Sequence, residues 1–122
     1  MKFIDTNTQA NLHNISEDQL DAADFGVVKV DDTGKVLFYN KYESDLAGVS
    51  KETAKGKNFF TEIAPCTNNR LFLGKFRQGV SSGNLDLAFN YTFSYKMKPT
   101  NVVIHLVHKP EDKSNWILVK AA

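Results

Sequence analysis

The chain has 122 residues, 42% hydrophobic and 11% aromatic, with 15 basic against 14 acidic side chains and a formal charge of +1. That length supports one core and not two, and so even a balance lacks the basic stripe of a nucleic-acid binder. No apolar run approaches membrane-spanning length, and the start M-K-F-I-D-T-N-T has no signal-peptide core. A monomer in the cytoplasm is the expectation. The single cysteine, Cys66, excludes an internal disulfide and agrees with a reducing compartment.

Residues 1–24 are polar with scattered apolar positions, Phe3, Ile4, Leu12, Ile15 and Leu20 among them. Ser16-Glu17-Asp18-Gln19 has the spacing of a capping box, which predicts a short helix starting there. The segment offers too little apolar surface to fold alone. It is expected to form a helical cap over a core spanning residues 25–122, the whole making a single domain.

F-G-V-V-K-V, D-D-T-G and K-V-L-F-Y-N then predict two strands joined by a turn. From Lys41 to about Phe60 the pattern breaks at Gly48 and Gly56 into short helices and turns. Phe72, Leu73, Phe76 and Val80 recur at helical spacing, predicting one amphipathic helix that ends near Gly83. Residues 85–97 alternate strictly, so Phe89, Tyr91, Phe93, Tyr95 and Met97 should line one face of a strand. Asn101–His108 and Trp116–Ala122 supply two more. This order predicts an α+β fold, a five-stranded antiparallel sheet with flanking helices, which is the order of a PAS domain. Fold order alone assigns no function.

Three readings of Cys66 stand side by side. A free cysteine is most often a small buried hydrophobe. A reactive thiol needs a cation or a helix N-terminus beside it, and none is visible locally. A covalent attachment point is the third, and Pro65 would stiffen the loop that aims the sulfur. His105 and His108 face opposite sides of one strand, and with His13 they read as surface or core histidines rather than metal ligands. Tyr39 and Glu43 sit where the second strand passes into helix. A half-buried tyrosine with a solvated glutamate, or a pocket pair with Glu43 held protonated, both fit there. Tyr42 offers a competing hydroxyl. Gly26, Gly34 and Gly48 form no phosphate-binding fingerprint.

G-K-N-F-F-x-x-I-A-P-C-T around Cys66, with Y-N-x-x-E upstream and G-K-F, S-G-N-L, Y-T-F and M-x-P-T downstream, resembles the photoactive yellow protein family over essentially the whole chain. The resemblance implies p-coumaric acid bound to Cys66 as a thioester, making a blue-light photoreceptor and not an enzyme. It implies that Tyr39 and Glu43 hydrogen-bond the chromophore's phenolate and that the Cys66 backbone N–H holds the thioester carbonyl. Val28, Ala47, Phe59, Ile63, Ala64, Thr67, Tyr91, Phe93, Tyr95 and Met97 match positions around the chromophore, and Met97 matches one that aids dark recovery. Light would turn the chromophore from trans to cis, Glu43 would pass its proton to the phenolate, and a partly opened state would signal to a downstream protein. Ala47 and Val49 stand where well-known members have a threonine and an arginine. Loss of the threonine hydroxyl should weaken the Tyr39 hydrogen bond, raising the phenol pKa by about one unit or less. The rival reading is a PAS sensor of another ligand, or of redox state through Cys66.

Overall fold

The computed structural model describes residues 3–94 and 99–122. Tyr95 and Met97, expected along the third strand, lie outside the described residues. Five strands form one sheet: β1 Gly26–Val30, β2 Val36–Tyr39, β3 Asp86–Phe93, β4 Thr100–Lys109 and β5 Ser114–Ala121. Their order is β2-β1-β5-β4-β3, with every neighbouring pair antiparallel. The expected sheet is therefore present, and the last two strands start one or two residues earlier than the sequence pattern indicated.

Period-two geometry sends alternate side chains of the central strands to two different cores. On one face, Val28, Val30, Ile104, Leu106, Ile117 and Val119 meet Phe59, Phe60, Phe72 and Phe76. On the other, Val27, Val107, Trp116 and Leu118 meet Leu12 and Leu20 of the N-terminal segment, with Phe3, Ile15 and Phe25 packed around them. That segment holds helices α1 (Thr6–Ala10) and α2 (Glu17–Asp21). Ser16 Oγ accepts from Gln19 N–H at 3.2 Å, as the capping-box spacing indicated. Lys109 Nζ also donates to the Ala10 carbonyl and Lys120 Nζ to that of Asp24.

Between β2 and β3 the chain makes helices α3 (Lys41–Ala47) and α4 (Lys51–Ala54), then two wide π-helical turns, Phe59–Ile63 and Arg70–Gly74, around a 3-10 turn at Pro65–Thr67. Helix α5 (Lys75–Ser82) follows and stops at Gly83, whose φ of 71° is the left-handed conformation that closes helices. The single amphipathic helix read from Phe72 to Gly83 is thus two pieces. Asn69 causes the difference, because its Oδ1 accepts from both Leu71 and Phe72 N–H and opens the first turn wide. Asn58 does the same for Phe60 and Thr61. Each wide turn buries its aromatic residues together.

Asn40 joins the two cores. Its side chain is fully buried; Oδ1 accepts from Val27 N–H (2.9 Å) and Glu43 N–H (3.1 Å), while Nδ2 donates to the Leu20 and Phe25 carbonyls, both at 2.9 Å. Leaving these backbone groups without partners costs about 1–3 kcal/mol each. Asn40→Ala is therefore expected to lower unfolding free energy by about 3 kcal/mol, read by urea denaturation. A loss below about 1 kcal/mol would show that water replaces the amide without penalty.

Candidate functional site

Tyr39, Glu43, Ala47, Phe59, Ile63, Ala64, Cys66 and Phe93 line one narrow, partly enclosed cavity. Several local devices bring them together. Tyr39 ends β2, Asn40 caps α3, and one turn of that helix carries Glu43 inward and Ala47 beside it. The first π-turn delivers Phe59 and Ile63, the 3-10 turn presents Cys66, and β3 closes the wall with Phe93.

The polar groups in this cavity are unusual. Tyr39 is 2% exposed and Glu43 1%, yet the Tyr39 hydroxyl and Glu43 Oε1 have no hydrogen-bond partner among the described residues. Buried polar atoms are almost always paired, so two orphans on residues that line one cavity mark a site suited to a further polar group. Burial pushes the Glu43 carboxyl up to about 8. Burial likewise raises the Tyr39 phenol, and charge on Glu43 would raise it further. At neutral pH both groups keep their protons, which makes them donors. Gly26 is part of this arrangement: a Cβ there would stand 2.5 Å from Glu43 Oε1 and 3.1 Å from Val119 Cβ.

Of the remaining candidates, Val28, Thr67 and Tyr91 are not among the residues that line that cavity. Val28 is buried in the main core next to it. Thr67 is fully buried and its hydroxyl donates to the Ala64 carbonyl at 2.7 Å. Tyr91 donates to the Cys66 carbonyl at 2.5 Å and stands edge-on to Phe72 and Phe93. Val49 packs half-buried against the core. Tyr42 turns away: its hydroxyl accepts from Ala121 N–H at 3.1 Å, which removes it as a rival to Tyr39. His105 is buried with Nε2 2.7 Å from Asp86, and His108 meets Asn115. No cluster suited to a metal ion occurs among the described residues, nor does any helix long and apolar enough to cross a membrane.

Sequence reasoning missed three contributors. Asn40 could have been found, since an asparagine three residues before Glu43 is an N-cap signal. Asn69 carries the same signal ahead of Phe72. Gly26 had none, because the carboxyl it accommodates arrives from a helix outside its own strand.

Sheet, helices and cavity together define a PAS domain, and the PAS fold family model matches residues 16–119. Photoactive yellow protein of Halochromatium salexigens is 42% identical over 118 residues, covering 97% of this chain and 94% of that protein. Its counterpart from Rhodothalassium salexigens is 40% identical, covering 98% and 96%. The crystal structure of the photoactive yellow protein domain from the sensor histidine kinase Ppr of Rhodospirillum centenum is 38% identical, with a TM-score of 0.86 over 92% of this chain and 98% of that one. The chain belongs to the photoactive yellow protein family.

The raised Glu43 pKa has a signed consequence for folding. Between its ordinary value of 4.5 and about 8, the folded chain holds a proton that the unfolded chain has released. This contribution is complete below pH 4.5 and is lost as pH climbs through 8. Unfolding free energy of the ligand-free chain should therefore fall more steeply from pH 5 to 8 than that of Glu43→Gln, by up to about 1.4 kcal/mol per pH unit. Parallel profiles would mean that Glu43 ionises as a solvated carboxyl does.

Proposed function

We propose that this chain is a blue-light photoreceptor that carries p-coumaric acid on Cys66 as a thioester. The observation that supports it most is that Tyr39 and Glu43, each with a buried polar atom that has no partner among the described residues, line the same cavity as Cys66. A phenolate oxygen is the acceptor that such a pair fits, since a buried anion needs strong donors around it. The attached group would supply visible absorption, a double bond that turns from trans to cis in light, and a phenol oxygen able to take up a proton.

The chain's residues would do the rest. Pro65 and the 3-10 turn hold Cys66 at the cavity wall, and the Cys66 backbone N–H is the assigned donor to the thioester carbonyl. Phe59, Ile63, Ala64 and Phe93 keep water away, and Val28, Thr67 and Tyr91 support that wall from behind. Tyr95 and Met97 complete the proposed enclosure on the strength of the family resemblance alone. Tyr39 and Glu43 donate to the phenolate in the dark. When Glu43 gives up its proton, a charge is left in a site with no cation beside it among the described residues, and an uncompensated buried charge is strongly unfavourable. Asn40 binds Glu43 N–H on one side and the Leu20 and Phe25 carbonyls on the other. Strain at Glu43 therefore has a direct route to the N-terminal cap, whose small apolar contact makes it the unit that opens first. The exposed surface would meet a downstream signalling protein; that a related domain belongs to a sensor histidine kinase agrees with such an output.

Ala47 lines the cavity where a hydroxyl would otherwise steady Tyr39, so the phenol pKa should lie about one unit or less above that of a threonine-containing relative. The group then remains an anion at neutral pH, absorbing slightly to the red. The test is to supply activated p-coumarate and record intact mass and absorption on the same sample. One coumaroyl group, a visible band that bleaches in blue light and recovers in darkness, and loss of both in Cys66→Ala are the expected results. A thiol that refuses the acyl group would overturn this reading. In the loaded protein, Tyr39→Phe should raise the phenol pKa by about 1–2 units, the worth of one charge-assisted hydrogen bond. An unchanged titration would remove Tyr39 from the site.

A further inference from the structure

The Cys66 carbonyl is held twice. Tyr91 O–H donates to it at 2.5 Å and Asn69 Nδ2 at 3.1 Å. Asn69 Nδ2 also donates to the Tyr91 hydroxyl at 2.6 Å, closing a three-membered ring of hydrogen bonds. The Asn69 orientation is set by its other end, where Oδ1 accepts from Leu71 N–H (2.9 Å) and Phe72 N–H (3.0 Å). Only the amide nitrogen is then free to face Cys66. Tyr91 is anchored in turn by its ring, which meets Phe72 edge-on at 5.2 Å.

We propose that Asn69 is a positioning residue for the Cys66 thiol: with Tyr91 it clamps the Cys66 peptide and thereby orients the Cα–Cβ bond that carries Sγ. On the amino side, Pro65 and the bond from Thr67 N–H to the Ala64 carbonyl already restrain the turn. The clamp fixes the carbonyl side, so the direction of the Cα–Cβ bond between them is set. The turn is also tied to β3, the strand that supplies Phe93 to the same cavity. A thiol that must meet one acyl group in one orientation gains from such restraint, because preorganisation removes the ordering cost from the bond-forming step. What the thiol carries rests on the photoreceptor reading; the clamp itself does not.

The single cysteine makes the clamp directly observable. Cysteine labelled with carbon-13 at its carbonyl gives one isotope-shifted amide band in the infrared spectrum, and hydrogen bonds to that carbonyl lower its frequency. In the ligand-free chain, Asn69→Ser retains an oxygen to cap the wide turn but loses the amide donor, and Tyr91→Phe retains the ring but loses the hydroxyl. Each should move the band to higher frequency. Each should also let Cys66 react with the neutral probe 4,4′-dithiodipyridine about two- to tenfold faster, the range that one net hydrogen bond corresponds to. The double variant should accelerate by less than the product of the singles, since both act on one carbonyl. If Asn69→Ser does not fold, Asn69→Asp keeps the cap oxygens without the donor, and its band must move the same way. A band unmoved when Asn69 is changed, or rates that multiply, would overturn the proposal. Neither measurement uses p-coumarate, so a chain that refuses the chromophore defeats the photoreceptor reading and leaves the clamp standing.

Discussion

The carboxamide of Asn40 is the constraint on which the rest of the molecule turns. One side chain satisfies the N–H that opens α3, an N–H of β1 and the carbonyls of Leu20 and Phe25. A buried amide can be this fully paired only if strand, helix and N-terminal segment all stand in one relative position. That position carries Glu43, three residues on, into the cavity. The apolar cores on the two sides of the sheet are thereby mechanically connected.

Glu43 illustrates how burial decides chemistry. On a solvated helix face it would be an anion at neutral pH; with 1% of its surface exposed it keeps its proton. The space it occupies depends on Gly26, since any β-carbon there would displace the carboxyl. Tyr39 is buried in the same way, so the cavity presents protons rather than charges. A site of this kind suits an anion that arrives with a ligand and loses its complementarity when the proton moves. On the proposed reading, the folded state is stable in the dark for the same reason that light unsettles it.

The loop that carries Cys66 is bracketed by two asparagines that do the same work. Asn58 and Asn69 each cap a wide π-helical turn, and between them the chain must rise and return within a few residues. Wide turns of this sort are uncommon and concentrate at functional sites. Here they swing Phe59, Ile63 and Phe72 inward and leave Cys66 at the crest, against Tyr91.

The sheet was legible in the sequence because period-two alternation and turn residues are local signals, and residues 85–93 show them plainly. The start of α2 was legible through Ser16, whose bond to Gln19 lies within one turn. The cysteine loop was recognisable as a motif, and with it the identities of Tyr39 and Glu43. Periodicity alone could not show which hydroxyl entered the cavity: Tyr39 and Tyr42 are equivalent by pattern, and only the placement of α3, with Ala121 N–H bonded to Tyr42, separates them. Nor could it show that Asn40 spans residues 20 to 43, that Gly26 makes room for a carboxyl, or that Asn69 reaches Tyr91 across 22 positions. Local pattern determined the elements, since it depends on neighbours along the chain. The pairing of buried polar groups was decided by tertiary structure alone, because each such group must find its partner wherever the fold brings one.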